Sequence, residues 1–350
     1  MARILLFHLS DLHFGSCFVG TQTSLAGLAG HDVDICRRLA VDLRLAQLSD
    51  FQTNGDDTVE YLISGDLTRV GSTHDFHLSH TYILADLEWV ENRAKAQQSA
   101  SLGLPHDRVH AIPGNHDHWC GISPLVKLNI PFRRPPAYNA AVFPDLLEPT
   151  PWRHTLWSKN KGFAIELFGV DSSEGLKSRA TNFRARGELS QVELHGQFDA
   201  AGHLVRPGLE QLLQEAARDA RRDGKARVRA VACHHAFSNQ GGLADAWPLS
   251  NGSRTKLLTL ARQYDVRCVL TGHTHYFYDL RHSQSGWPSV WELRCGSTTQ
   301  QGTQPHPPGF WVHEIIGPAS GGSAAPQWRA WKFQWNGTQF AKNPTHVNVH

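Results

Sequence analysis

The chain has 350 residues, 40% of them apolar, and 34 Lys and Arg against 32 Asp and Glu. That length allows one large domain or two average ones, with enough apolar residues for a sizeable core. A formal charge of +2 argues against a protein built to coat nucleic acid or an acidic membrane surface. No apolar run approaches the ~20 residues of a transmembrane helix, and the N-terminus has neither a signal-type apolar run nor a small-residue cleavage site. The expectation is a cytoplasmic protein with no membrane contact. The six cysteines form no CxxC pair, and three of them sit in apolar strand-like runs, which reads as buried free thiols in a reducing compartment. The 22 histidines are the most informative count, because histidine is the commonest metal ligand and the side chain best suited to proton transfer near neutral pH.

Arg3 to Leu9 is apolar except for His8 and reads as a strand buried on both faces. It ends in Ser10-Asp11-Leu12-His13, where Asp11 and His13, two apart, point the same way in an extended segment. Residues 15–31 read as a loop, and a helix follows from about Val33 to Leu48 with Ile35, Leu39, Leu43 and Ala46 on one face. Val59 to Ile63 is the second strand and runs into Ser64-Gly65-Asp66-Leu67-Thr68. A helix over 74–96 turns Ile83, Leu87 and Val90 inward, and a third strand over 108–112 leads to Pro113-Gly114-Asn115-His116-Asp117-His118.

Residues 119–160 hold seven prolines between Pro124 and Pro151 and read as an irregular insertion, either a functional lid or a packed surface excursion. Gly162 to Val170 is the fourth strand, ending in Asp171-Ser172-Ser173, and 174–206 is polar and mixed. Leu209, Leu212, Leu213, Ala216, Ala217 and Ala220 form the stripe of an amphipathic helix that Gly224 stops. The strand Val228 to Ala232 ends in Cys233-His234-His235. A helix over about 254–264, capped by Ser253, precedes the strand Val266 to Leu270 and then Thr271-Gly272-His273-Thr274-His275. Strand-like stretches at 289–296, 309–316 and 326–335 close the chain, and 337–350 reads as a loose tail.

Five strand ends thus carry ligand-type residues: Asp11/His13, Asp66, Asn115/His116/Asp117, His234/His235 and His273/His275. One Asp after a strand is an ordinary cap, and one buried His is ordinarily just hydrogen-bonded. Five such ends together point to a site past the carboxyl ends of the strands, where ligands of open α/β sheets sit. Mixed imidazole, carboxylate and amide donors suit Mn, Fe or Zn better than Ca or Mg.

The series Asp11-Leu12-His13, Gly65-Asp66, Gly114-Asn115-His116-Asp117, His234-His235 and Gly272-His273-Thr274-His275 resembles the calcineurin-like metallophosphoesterases from residue 3 to about 316. The resemblance implies an α/β fold (α+β in some schemes), a four-layer α/β/β/α sandwich of two mixed β-sheets flanked by helices. It implies one domain over 1–336, including the Pro-rich insertion, with 337–350 as a tail. It also implies two divalent or trivalent ions, Mn or Fe first and Zn after them. Asp11, His13 and His275 would hold the first, Asn115, His234 and His273 the second, and Asp66 would bridge. His116 would then be the catalytic residue facing the substrate phosphate, and Asp117 would orient it. His118 is either a substrate contact or an outer residue, and His235 an outer residue.

The chemistry behind this arrangement is general. The oxygens of a phosphate ester repel an anionic nucleophile. Two metals about 3.5–4 Å apart neutralise them and make hydroxide available near pH 7. The leaving alkoxide needs a proton, which His116 as imidazolium is placed to supply. The segments His8–His13, Ser64–Thr68 and Cys295-Gly296-Ser297 look most like the bacterial cyclic-nucleotide phosphodiesterase branch, so a small diester is the favoured substrate. The alternatives are a phosphomonoesterase, a binding module without chemistry, and a repair-type nuclease. For the nuclease, the run Arg218, Arg221, Arg222, Lys225, Arg227 and Arg229 would meet phosphates. Nucleic acid is the less favoured partner.

Overall fold

A computed structural model gives the architecture. It describes residues 2–14, 35, 38–39, 42–43, 47–48, 51–52, 54–68, 71, 73–84, 102–118, 148–173, 187–238, 248–299, 306–318 and 325–350. In chain order the elements are β1 (Arg3–Leu9), β2 (Gln47–Leu48), β3 (Phe51–Gln52), β4 (Thr58–Ser64), α1 (Thr73–Leu84), β5 (Val109–Ile112) and the one-turn helix α2 (Asn115–His118). Next come β6 (Trp152–Trp157), β7 (Phe163–Gly169), α3 (Gln191–His195), β8 (Gln197–Phe198), β9 (Leu204–Arg206), α4 (Leu209–Asp223) and β10 (Ala226–Ala232). The chain finishes with α5 (Asn251–Gln263), β11 (Val266–Thr271), β12 (Tyr278–Gln284), β13 (Trp287–Arg294), β14 (Gly309–Ile316), β15 (Gln327–Trp335) and β16 (Phe340–Asn348).

Two six-stranded sheets carry the molecule, in the orders β16-β15-β14-β1-β4-β5 and β12-β13-β11-β10-β7-β6. Each is mixed. β1, β4 and β5 run parallel, as do β7, β10, β11 and β13, while the outer strands are antiparallel. Alternation along the buried strands explains the layering. Ile165 and Leu167 of β7, Ala230 of β10 and Leu270 of β11 join the core that also holds Ile4–Phe7 of the first sheet. Their neighbours Phe168, Val231 and Val269 turn the other way, onto Leu209, Leu213, Leu257 and Ala261 of α4 and α5. A strand clothed on both faces has no polar side to show, hence its continuous apolar run. The expected sandwich of two mixed sheets with helices is the fold observed.

Several local expectations change. The tail expected over 337–350 contains β16, paired antiparallel with β15 and anchored by the buried Phe340. The insertion over 119–160 ends in β6, which pairs with β7; residues 119–147 lie outside the described residues. Ile35, Arg38, Leu39, Asp42 and Leu43 are helical, but Gln47–Leu48 is extended and pairs with β3, so the helix predicted to Leu48 stops short. Ala46, Leu87 and Val90 lie outside the described residues. α5 begins three residues earlier than expected because Ser250, not Ser253, is the cap: its Oγ accepts from Ser253 N at 3.2 Å. α4 ends as expected on Gly224, which takes the left-handed conformation at φ 63°.

Four of the six basic residues in the run after Ala217 can be placed by their partners, Lys225 by the Trp157 ring, 4.7 Å from its Nζ. Arg227 and Arg229 bind the fully buried Glu166, which Arg153 also holds at 2.6 Å, and Arg222 pairs with Asp219. Arg227 and Arg229 are therefore committed to closing the sheet rather than facing an anionic polymer. Cys233, Cys268 and Cys295 are buried free thiols, as read from the sequence.

His8 and His313 are both fully buried in the first sheet, with rings 5.7 Å apart. Burial lowers His8 from 6.5 to about 3, against a smaller opposing pull from Asp11, and it holds His313 well below its usual value. Both are neutral in the folded protein and gain a proton more readily when unfolded. Stability is therefore retained above about pH 6.5 and lost as pH falls toward 3. The expected result is a urea midpoint that drops more steeply over that window in the parent than in a His313→Leu variant, both metal-free. Equal slopes would contradict it.

Candidate metal centre

The site forms where the two sheets abut at the ends of β1, β4, β5, β10 and β11. Backbone bonds lace the loops together: Asp11 N donates to Gly65 O at 3.1 Å, His13 N to Asp66 O at 2.8 Å, and Gly272 N to His234 O at 3.0 Å. Two glycines permit the approach. A Cβ on Gly114 would run into the Asp66 carboxylate and amide, and one on Gly272 into Ser10 Oγ. Asp11, His13, Asp66, His273 and His275 all adopt positive φ, between 49° and 75°. Such conformations are uncommon for non-glycine residues and cluster at functional sites, where the surrounding structure enforces them.

The side chains converge in overlapping groups. The donor atoms of Asp11, His13 and His275 lie within 4.8 Å of one another, as do those of Asp66, His234 and His273. A third group of His13, Asp66 and His116 overlaps both. Asp66 Oδ2 stands 3.2 Å from His234 Nε2 and 3.6 Å from His13 Nε2, so it faces both halves. Asn115 joins through its Oδ1, 3.1 Å from His234 Nε2. His234 Nδ1 donates to Ser64 O at 2.8 Å, which leaves Nε2 aimed at the centre. His116 N donates to Asp66 Oδ1 at 2.9 Å, and its ring meets that of His13 edge-on with centroids 4.7 Å apart.

The donor set fits metal ions. Asp11 Oδ1 and His273 Nε2 are buried and have no hydrogen-bond partner among the described residues. His13 Nε2 and His275 Nε2 approach to 3.0 Å, and a shared cation satisfies such a pair of ring nitrogens. Burial opposes ionisation of Asp11 and Asp66, yet the neighbouring histidines, His275 for Asp11 and His234 for Asp66, hold both carboxyls below their usual range. Burial lowers His273 to about 3 and His13 to about 4, leaving neutral rings with lone pairs to give.

Residues 4–277 match the family model of the calcineurin-like phosphoesterases. The chain belongs to that family. It is therefore a metallophosphoesterase by family, and the superfamily works through a dinuclear metal site. No curated protein sequence matches it. Among solved structures, the GAP50 anchor of the Plasmodium inner membrane complex covers 99% of this chain and 89% of its own, at 11% identity and TM-score 0.51, a likeness of fold. The purple acid phosphatase PPD1 of yellow lupin aligns over 97% of this chain and 53% of its own, at 10% identity and TM-score 0.49. A dimetal phosphatase from Danio rerio aligns over 99% and 98%, at 13% identity and TM-score 0.44. Among the described residues no helix is long and apolar enough to cross a membrane.

Two residues of the metallophosphoesterase motif make contacts that the motif does not specify. Asp117 was expected to orient His116. Its carboxylate accepts from Gly114 N at 2.8 Å, Leu67 N at 3.2 Å, Thr68 N at 2.9 Å and Thr68 Oγ1 at 2.8 Å. It clamps the loop after β4 to the loop after β5 and fixes His116 through the backbone. Burial and the charge of Asp66 push Asp117 up to about 6, against those donated bonds. His118 is buried and turned to Asp171, with Nε2 2.8 Å from Oδ2, so it ties α2 to the end of β7. His235 Nδ1 lies 2.9 Å from Ser172 Oγ, and its ring packs 4.5 Å from that of His273. That is the outer position expected of it. Asp171 was visible at a strand end, but nothing in its spacing names His118 as its partner.

Proposed function

We propose that this chain hydrolyses a phosphodiester bond in a small substrate, with a cyclic nucleotide as first candidate. The observation that carries the reading is Asp66, whose carboxylate faces two sets of buried donors at once. In this reading Asp11, His13 and His275 hold one ion, Asn115, His234 and His273 hold the other, and Asp66 touches both. When bound, the two ions supply neutralisation of the phosphate oxygens and a water of lowered pKa. Mn and Fe suit this mixed N/O set, with Zn after them.

The residues of the chain do the rest. Ser64 O fixes the tautomer of His234. Asp11 Oδ2 accepts from Ser10 Oγ at 2.6 Å and from His273 N at 2.9 Å, which points Oδ1 at the centre. His116 stands beside both sets, held at its own amide by Asp66, and is the group placed to give a proton to the leaving oxygen.

The preference for a diester is supported by the three segments that look like the cyclic-nucleotide branch, and they meet in space. Ser297 Oγ donates to Asp11 O at 2.8 Å, and Ser10 N donates to Thr298 Oγ1 at 3.1 Å. The test is turnover of bis(p-nitrophenyl) phosphate against p-nitrophenyl phosphate with added Mn, on protein whose metal content is measured. The expected result is a higher kcat/KM for the diester, followed by activity on a 2′,3′- or 3′,5′-cyclic nucleotide. A clear preference for the monoester would overturn the diester reading and leave the phosphoesterase family untouched.

A further inference from the structure

Two charged side chains with no part in the motif lie fully buried behind the centre. Glu292 and Arg294 sit two apart on β13, so they share a face, and neither is exposed to solvent. Glu292 Oε1 accepts from Phe237 N at 2.9 Å and from Arg294 Nη2 at 3.1 Å, and Oε2 lies 3.3 Å from His282 Nε2. Arg294 Nη2 also donates to Ser238 O at 2.7 Å, while Nη1 donates to Thr274 Oγ1 at 3.3 Å. Its guanidinium lies 5.0 Å from the centre of the Tyr278 ring.

Beside His282 and Tyr278 of the neighbouring strand β12, these contacts reach two loops. Phe237 and Ser238 belong to the loop that follows His234 and His235. Thr274 lies between His273 and His275. We infer that the Glu292–Arg294 pair is a positioning brace that locks the loop of His234 to the loop of His273 and His275 and so sets the spacing of the metal donors.

Two arguments carry this. An ion pair that merely filled space could be exchanged for apolar side chains with little loss or a gain in stability. Val290, on the same face of the same strand, shows that apolar packing is available there. Moreover, the Gly272 N to His234 O bond at 3.0 Å joins these loops only where they leave their strands, and the brace ties them again further out, at Ser238 and Thr274. His273 and His275 are in left-handed conformations, which persist only where the surroundings enforce them. Outer groups that orient ligands govern metal affinity, typically by 10- to 100-fold.

The inference rests on reading these histidines as metal ligands, and the experiment separates the two. Metal-stripped protein is titrated with Mn(II) by calorimetry, and the melting temperature of each metal-free variant is recorded. The parent is expected to bind two ions. Arg294→Gln is expected to bind at least one of them about 10- to 100-fold more weakly, with turnover recovering as Mn(II) is raised. Thr274→Val leaves the ion pair intact and removes only the acceptor between the two histidines. It is expected to lose affinity in the same direction, and Thr274→Ser, which keeps the hydroxyl, to restore it. If Arg294→Gln fails to fold, the Thr274 pair decides. Parental affinity for both ions in Thr274→Val, or no recovery in Thr274→Ser, overturns the brace while the ligand reading stands. A parent that binds no Mn(II) overturns the ligand reading, and the brace with it.

Discussion

Asp66→Ala is expected to abolish binding of both metal ions and to lower phosphoester turnover by about 10³-fold or more. The carboxylate faces both donor sets, 3.2 Å from His234 Nε2 and 3.6 Å from His13 Nε2. On the proposed assignment, its removal deletes the negative charge that would lie between two cations and the ligand that would be common to them. The charge stabilisation that the ions provide is worth several kcal/mol, and each 1.36 kcal/mol is tenfold in rate. Asp66 Oδ1 also accepts from His116 N at 2.9 Å, so the alanine variant loosens α2 as well. Asp66→Asn separates these effects. Its carbonyl oxygen can still accept that bond, and asparagine tolerates the left-handed backbone at φ 51°, so only the charge is lost. Calorimetric Mn(II) titration of the three proteins should show two ions in the parent, weakened binding in Asp66→Asn and none in Asp66→Ala. Two ions held at parental affinity by the alanine variant would show that this carboxylate is not shared.

The strands that present the site were readable because they are clothed on both faces, which leaves short, mainly apolar runs such as Arg3–Leu9 and Phe163–Gly169, too short for a usual helix. The motifs at their ends were readable because each packs glycine and ligand-type residues into a few positions. The edges were not. β16 carries Lys342, Asn343, Pro344 and Thr345, the polar and proline-bearing composition of an edge strand that must not pair further, and this composition reads as a tail. β6 is the edge of the other sheet and follows a proline-rich stretch, so its alternation was hidden.

Long-range partners were equally invisible. His118 finds Asp171 across 53 residues, Glu166 finds Arg227 across 61 and Glu292 finds Phe237 across 55. The first pair forms only where one sheet meets the other, and the other two only once β7, β10, β11 and β13 have assembled side by side. Asp117 shows the limit most sharply: the motif says that a carboxylate belongs there, but whether it steers a ring or clamps a loop depends on the Gly114, Leu67 and Thr68 amides that meet it.

His116→Ala is expected to keep both metal ions and to lose about 10²- to 10⁴-fold in turnover, the usual worth of a positioned general acid. The structure allows the two effects to part. The bond that ties position 116 to Asp66 is made by the backbone amide, which alanine retains, and the Asp117 clamp on Gly114, Leu67 and Thr68 is untouched. Mn(II) affinity should therefore stay near that of the parent, and a parallel loss of metal would show His116 to be a ligand instead. The size of the kinetic loss should follow the leaving group. A p-nitrophenolate departs without help, so bis(p-nitrophenyl) phosphate should lose little. A diester with an alkoxide leaving group, or a cyclic nucleotide, needs the proton and should lose the full factor. An equal loss on both substrates would mean that the imidazole binds the phosphate rather than protonating the departing oxygen. A loss confined to the poor leaving group would assign it the proton.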